Sequence, residues 1–248
     1  ILATGGPAGM YHDSVYPVSQ TGSTGMAFEA GASGKNLTEW QFGMASLNPR
    51  WNVSGTYMQV LPSFISTGQD GNDEKEFLLD YFNELPDLLS MVFLKGYQWP
   101  FDVNKIFGGS SVIDLLVYQE TVLKKRRVFL DYRVNPGNLE KDRDLPYASM
   151  IPEAKEYLSQ AGACFGTPIE RLKHMNEPAI LFYQDHHVDL FKERLEIAVC
   201  AQHNNGGLST NHLWETNLSG LYAIGEVCAS HGVTRPGGTA LNADQVGA

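Results

Sequence analysis

Residues that can do acid–base and anion chemistry crowd together near the end of this chain. Residues 220–241 read Gly-Leu-Tyr-Ala-Ile-Gly-Glu-Val-Cys-Ala-Ser-His-Gly-Val-Thr-Arg-Pro-Gly-Gly-Thr-Ala-Leu. The pattern predicts an apolar strand over 221–224 that ends on Gly225 and delivers the carboxylate of Glu226. A glycine-rich loop follows with His231 and Arg235. Gly237 and Gly238 then open a helix with Thr239, Ala240 and Leu241. A strand-end carboxylate, a loop cation and a glycine-opened helix N-terminus are the means by which α/β proteins hold a polar cofactor. Farther upstream, His203 stands just before Asn204-Asn205-Gly206-Gly207, which reads as a hairpin-type turn. Arginine offers a planar two-donor fork, the geometry that suits a carboxylate.

Those residues need positioning elements. Residues 1–6 read as a buried strand followed by the Gly5-Gly6 turn. A short helix over residues 26–30 is expected, with Thr24 as its N-cap and Gly31 as its stop. Leu37–Phe42 reads as a strand, and 43–75 as irregular. Glu76–Phe93 has helical spacing, with Pro86 splitting or kinking it. Ser110–Leu123 suits a helix or a strand pair, and Val128–Tyr132 a strand. Three helical segments are expected between 139 and 185, with Pro152 and Pro168 at first-turn positions and Pro178 marking a boundary. Leu195–Ala201 completes the set as a strand. The order gives an α/β class with an α+β insertion: pieces at 1–43 and 196–248 flank an inserted domain at 44–195. An inserted domain commonly closes over a site, so the substrate pocket is expected at the junction.

Composition narrows the function classes. Of 248 residues, 43% are hydrophobic and 19% charged, and the formal net charge is −10. An acidic chain has no electrostatic pull toward phosphate backbones or anionic membranes, and the Lys124–Arg127 run reads as a solvated turn. No nucleic-acid partner is expected. No apolar run is long enough to span a bilayer. The three cysteines (Cys164, Cys200, Cys228) form no C-x-x-C pair, which argues against a disulfide framework or a zinc site and points to a reducing, cytoplasmic setting. His186-His187 has no third ligand nearby, so no metal is expected. The chain opens at Ile1 in mid-strand and closes at Ala248 in mid-helix, the pattern of a piece cut from a longer protein.

Five blocks in order resemble one family. Ala3-Thr4-Gly5-Gly6 is similar to A-T-G-G. Thr21-Gly22-Ser23-Thr24-Gly25-Met26-Ala27 with Ala30-Gly31-Ala32 is similar to T-G-D-G-x-x-M-A…A-G-A. Glu39-Trp40-Gln41-Phe42 is similar to E-x-x-Q-F, and His203-Asn204-Asn205-Gly206-Gly207 to H-x-x-G-G. Residues 220–241 are similar to G-L-Y-A-A-G-E followed by H-G-x-x-R-x-G-G-x-A-L. Together these blocks resemble the FAD-dependent fumarate reductase/succinate dehydrogenase flavoproteins. The resemblance implies a partial Rossmann-like FAD-binding domain interrupted by a mixed α+β capping domain. It implies hydride transfer between flavin and a small carboxylate-bearing substrate.

The same resemblance assigns roles. Thr4, Gly5, Gly6, Thr21, Gly22, Gly225 and Glu226 would contact FAD, with Glu226 accepting from ribityl or ribose hydroxyls. The helix start (Gly237, Gly238, Ala240, Leu241) would face the negative charge of reduced flavin. Arg235 would clamp the substrate carboxylate, His203 would stand on the substrate side, and His231 near the flavin. The electron partner is open, and self-association is an option. Departures from the family pattern are specific. Phe42 is followed by Gly43-Met44-Ala45 instead of H-P-T. Trp99-Pro100-Phe101-Asp102 carries no arginine where the family has T-R-D. Arg50, Tyr57, Lys95 and Tyr97 are the cationic or polar residues of the inserted domain that could replace it. The G-x-G-x-x-G opening and the histidine that bears covalent flavin in some members are absent from these residues. Related readings are an amino-acid oxidase of the aspartate oxidase kind, a ketosteroid dehydrogenase, or, for this chain alone, a capping domain that binds no cofactor.

Overall fold

The computed structural model describes residues 1–20, 22–138, 145–233, 235 and 239–247. Its helices are α1 (Thr24–Glu29), α2 (Thr56–Gln59), α3 (Leu85–Lys95), α4 (Ser111–Tyr118), α5 (Pro152–Gln160), α6 (Pro168–Asp185) and α7 (Thr239–Gly247). Its strands are β1 (Gly34–Lys35), β2 (Trp40–Leu47), β3 (Arg50–Asn52), β4 (Ser63–Thr67), β5 (Arg127–Asp131), β6 (Leu195–Asn204) and β7 (Gly207–Leu208). The class is mixed α/β. The chain divides into two compact units, one of residues 1–43 and 200–248, the other of residues 44–199. It passes between them within β2 and within β6.

In the 44–199 unit a sheet runs in the order β3-β2-β6-β5-β4. Strand β4 pairs antiparallel with β5 from Ser63↔Asp131 to Thr67↔Arg127, and β5 pairs antiparallel with β6 from Val128↔Ile197 to Leu130↔Leu195. The core gathers Phe64, Leu89, Val92, Phe93, Ile113, Leu130, Leu172 and Tyr183, all essentially without solvent contact. Helix α3 begins with Pro86 in its first turn, so the expected 76–93 helix is split. Phe77–Asp80 forms a separate 3-10 turn. Ser110–Leu123 resolves as helix, α4 running into a π turn at Gln119–Leu123.

Pro152 and Pro168 each stand at a helix start, as the missing N–H allows. Helix α6 is closed at its N-terminus by a capping box: Thr167 and Glu170 satisfy each other's backbone N–H groups. Its chain leaves helical geometry at Asn176, two residues before Pro178. Arg171 lies wholly inside this unit. It donates to the carbonyls of Val60, Phe165 and Gly166, to Asn135 Oδ1 and to the Tyr147 hydroxyl. Burial pushes its pKa down, and several neighbouring segments are tied through one guanidinium.

The 1–43/200–248 unit has a smaller core of Ala27, Ala32, Leu208, Ala223, Val227 and Cys228, with Phe28 and Trp214 packed against it. Several local expectations are corrected here. Residues 1–6 make only a single parallel bridge, Leu2↔Ala223, and 221–224 make bridges at Tyr222 and Ala223 rather than a full strand. Thr24 is the first residue of α1, not its cap; Ser23 holds the cap position and neither side chain closes the end. Asn204–Gly207 is no hairpin turn. Strand β6 runs on through Asn204, and β7 pairs antiparallel with β1, Gly34↔Leu208 and Lys35↔Gly207. The 43–75 stretch is also more regular than expected, holding β3, α2 and β4.

Candidate functional site

The parallel bridge Leu2↔Ala223 sets two chain segments side by side, and both run on into glycines. One continues through Thr4 to Gly5 and Gly6, the other to Gly225 and Glu226 in a 3-10 turn (Gly225–Val227). Helix α7 packs against that turn. Thr4 is exposed, and its hydroxyl meets Ser23 Oγ at 2.7 Å. Gln20 donates to the Thr4 carbonyl at 2.8 Å. Gly5, Gly22 and Gly225 all have φ near +70°. Gly6 is buried for another reason: a Cβ there would stand 2.3 Å from Glu226 Oε1 and 2.5 Å from its Cδ. Only a residue without a side chain lets this carboxylate lie where it does.

Glu226 is held by three donors. His203 Nδ1 lies 2.9 Å from Oε1, and the Asn204 N–H donates to the same oxygen at 3.0 Å. The Tyr16 hydroxyl donates to Oε2. Burial pushes the carboxyl pKa up, but the His203 hydrogen bond and charge, the Tyr16 hydroxyl and the Asn204 N–H outweigh it, so the group is held below the usual carboxylate range. His203 projects from β6, where it is buried; its Nε2 has no hydrogen-bond partner among the described residues. The His231 ring stands edge-on to it, centroids 4.8 Å apart and planes at 83°.

The loop that carries His231 is tied to the H-N-N-G-G block. Asn205 donates to the Val233 carbonyl at 2.9 Å, and Asn36 donates to the Gly232 carbonyl at 3.2 Å. Gly206 makes this possible: a Cβ there would lie 1.9 Å from the Asn36 carbonyl oxygen. Arg235 is half-buried. Its Nε and Nη2 both reach Gln41 Oε1, at 3.3 and 3.1 Å, while Gln41 Nε2 donates back to the Arg235 carbonyl at 3.3 Å. The amide of Gln41 therefore orients the guanidinium without neutralising it.

The structure brings together Gly6, Glu226, His203 and His231, and it joins Arg235 to Gln41. Thr21, Gly237 and Gly238 lie outside the described residues. Ala240 and Leu241 stand in the first turn of α7. Two participants escape a reading of the sequence. Tyr16 carries no local signal, and Gln41 is visible only as a letter of the E-W-Q-F block. In the other unit, two of the residues that the sequence offers in place of the T-R-D arginine are committed elsewhere. Lys95 is buried in an ion pair with Asp114, and Tyr57 is buried with its hydroxyl on the Ala179 carbonyl. The basic run is likewise paired, Arg126 with Asp73 and Glu120, Arg127 with Glu196.

A cavity of about 410 Å³ is lined by Lys35, Thr210, His212, Trp214 and Cys228 among others. Burial pushes the Cys228 thiol pKa up, against a hydrogen bond with Thr210. Among the described residues no three His, Cys, Asp or Glu side chains gather as a metal site, and no helix is long and apolar enough to cross a membrane.

Comparison with known proteins adds the rest. The FAD binding domain family matches residues 140–241. Over 80 residues, 32% of this chain, it is 39% identical to a subunit of the CoM/CoB fumarate reductase of Methanothermobacter marburgensis, a match covering 15% of that protein. Over 60 residues, 24% of the chain, it is 45% identical to an uncharacterized FAD-dependent oxidoreductase of Methanocaldococcus jannaschii, covering 11% of it. The fold is similar to that of Mycobacterium smegmatis Sdh1 in complex with UQ1, with a TM-score of 0.54 at 19% identity over 98% of this chain and 33% of that one. The chain thus spans about a third of that relative's length or less, and the sequence matches span less still. Over these segments the chain is similar to the FAD binding domain family and to a fumarate reductase subunit.

Proposed function

We propose that this chain is part of an FAD-dependent oxidoreductase that moves hydride between flavin and a carbon–carbon bond of a small carboxylate-bearing substrate. In this reading residues 1–43 and 196–248 belong to a Rossmann-like FAD-binding domain, and residues 44–195 form its capping domain. The observation that carries it is the convergence of two glycine-ended segments and helix α7: Leu2 bridged to Ala223, Gly6 laid on Glu226, and α7 packed on Gly225–Val227. Glycine-ended segments packed beside a helix suit the backbone-close approach that a dinucleotide needs. The residues present therefore fit the cofactor.

Bound FAD supplies the hydride chemistry. Thr4, Gly5, Gly6, Gly22 and Gly225 would border the dinucleotide. Glu226 Oε2, which among the described residues accepts only from Tyr16, keeps a lone pair for a cofactor hydroxyl. The first turn of α7, with Ala240 and Leu241, would offer unpaired N–H groups to the anionic edge of reduced flavin. Arg235, oriented by Gln41, would hold a substrate carboxylate, and His203 would face the same substrate, with His231 alongside.

The test is reconstitution. The whole protein is expected to take up FAD in stoichiometric amount, with the flavin absorbance band retained through gel filtration. A whole protein that purifies colourless and binds no FAD would overturn the reading. With the whole protein, peroxide released from an amino acid would instead favour the oxidase alternative, and steroid turnover the ketosteroid dehydrogenase one.

A further inference from the structure

Glu226 has a second partner set that a cofactor contact does not explain. Both of its oxygens already accept from protein donors: His203 Nδ1 and the Asn204 N–H on Oε1, the Tyr16 hydroxyl on Oε2. An ionised carboxylate accepts hydrogen bonds and donates none. The proton of the His203–Glu226 bond must therefore sit on Nδ1. That leaves Nε2 as the one imidazole atom free to meet a ligand, and Nε2 is buried and without a partner among the described residues. Gly6 leaves the room this placement needs, since a Cβ there would stand 2.3 Å from Oε1.

We infer that Glu226, braced by Tyr16 and given room by Gly6, is a positioning residue that fixes His203 in the Nδ1–H form and presents Nε2 to a ligand oxygen. Nε2 then has two states. With the ring neutral it is an acceptor and selects a ligand hydroxyl. With the ring protonated it is a donor and selects a carboxylate, while Glu226 balances the imidazolium charge from the other side of the ring. A histidine turned the other way, with its proton on Nε2, could not accept from a ligand hydroxyl. The inference rests on the reading of His203 as a substrate-side residue, and it assigns Tyr16 and Glu226 work that the family resemblance alone does not.

The experiment is long-range proton–nitrogen correlation NMR on the full chain labelled with ¹⁵N-histidine. The neutral His203 ring is expected as the Nδ1–H tautomer, against the Nε2–H form that an unconstrained histidine prefers in water. In Glu226→Ala it is expected to revert to the Nε2–H form. In Glu226→Gln, whose amide oxygen still accepts, the Nδ1–H form is expected to persist. Unchanged signals from His12, His174, His186, His187 and His212 certify that each variant is folded. An Nε2–H ring in the unmodified chain, or an unchanged tautomer in Glu226→Ala, overturns the inference. FAD uptake by the whole protein separates the two ideas. A whole protein that binds no FAD, beside a chain that shows the expected tautomers, sinks the proposed function and leaves the histidine assignment standing; FAD uptake with the wrong tautomer does the reverse.

Discussion

The Gly6→Ala substitution tests the placement of Glu226 most directly. Gly6 does not occupy the left-handed region, so alanine meets no backbone strain there. The whole effect is steric. The new methyl carbon would stand 2.3, 2.5 and 2.9 Å from Oε1, Cδ and Cγ of Glu226. No such contact is tolerated, so the carboxylate has to move. Moving it breaks the bonds from His203 Nδ1 and the Asn204 N–H, 2.9 and 3.0 Å long, and loosens that from Tyr16. Hydrogen bonds to a charged group contribute about 1.5–3 kcal/mol each. The Glu226 side chain is 16% exposed, so water recovers part of the loss. A destabilisation of about 2–4 kcal/mol is expected, from the loss of one to two such bonds. Urea unfolding of Gly6→Ala, Glu226→Ala and the double variant reads it. In the Glu226→Ala background the methyl has space, and its cost is expected to fall below about 0.5 kcal/mol, leaving a coupling energy close to the single-variant loss. An equal cost in both backgrounds would show that the clash lies elsewhere and would refute the placement.

Four further outcomes follow from the same geometry. Gly206→Ala puts a methyl 1.9 Å from the Asn36 carbonyl oxygen, a backbone atom that cannot rotate aside; a loss of about 3 kcal/mol or more is expected in urea unfolding. Arg171→Met leaves the carbonyls of Val60, Phe165 and Gly166 short of donors inside the protein, and about 3 kcal/mol or more is expected from the same assay. Asp131 is buried, which raises its pKa, but hydrogen bonds from Arg133 and Arg194 lower it further, so the net shift is downward. Its contribution is therefore complete above the unfolded pKa of about 3.9 and is lost as pH falls through the lower folded value; Asp131→Asn is expected to flatten the acid limb of a stability–pH curve. Arg235→Lys keeps the charge but loses the fork that Gln41 orients; on the proposed function, succinate affinity of the FAD-loaded whole protein falls about tenfold or more, or about 1.4 kcal/mol, with FAD uptake unchanged.

What could be read from the sequence is what the backbone writes locally. Pro152 and Pro168 mark helix starts because proline lacks the N–H that a first turn leaves unpaired anyway. Val128–Tyr132 reads as a strand because β-branched and aromatic residues suit a pleat, and it is one, within a residue. Strand β4 is hidden by its own composition. Its five residues are all buried, yet Ser63, Ser66 and Thr67 look like loop residues. Their hydroxyls are satisfied by the Val134 carbonyl, Glu120 and the Gly68 carbonyl, partners that no local pattern predicts. Strand β7 escapes in the same way, since a two-residue strand exists only through its pairing with β1.

The site divides along the same line. Its glycines, its carboxylate and its histidines stand out as residue types, because few folded contexts favour them in such density. Their partners do not. Tyr16 and Glu226 are 210 positions apart, and Gln41 and Arg235 are 194 apart. Gly6 illustrates the difference most sharply. As one letter of Ala-Thr-Gly-Gly it signals a turn, and a turn needs only one flexible residue, which Gly5, at φ +69°, already provides. Gly6 is required for the space its missing side chain leaves to Glu226. That requirement is a property of two segments meeting, so a second glycine in such a motif is better read as a vacancy reserved for a distant side chain than as additional freedom in the chain.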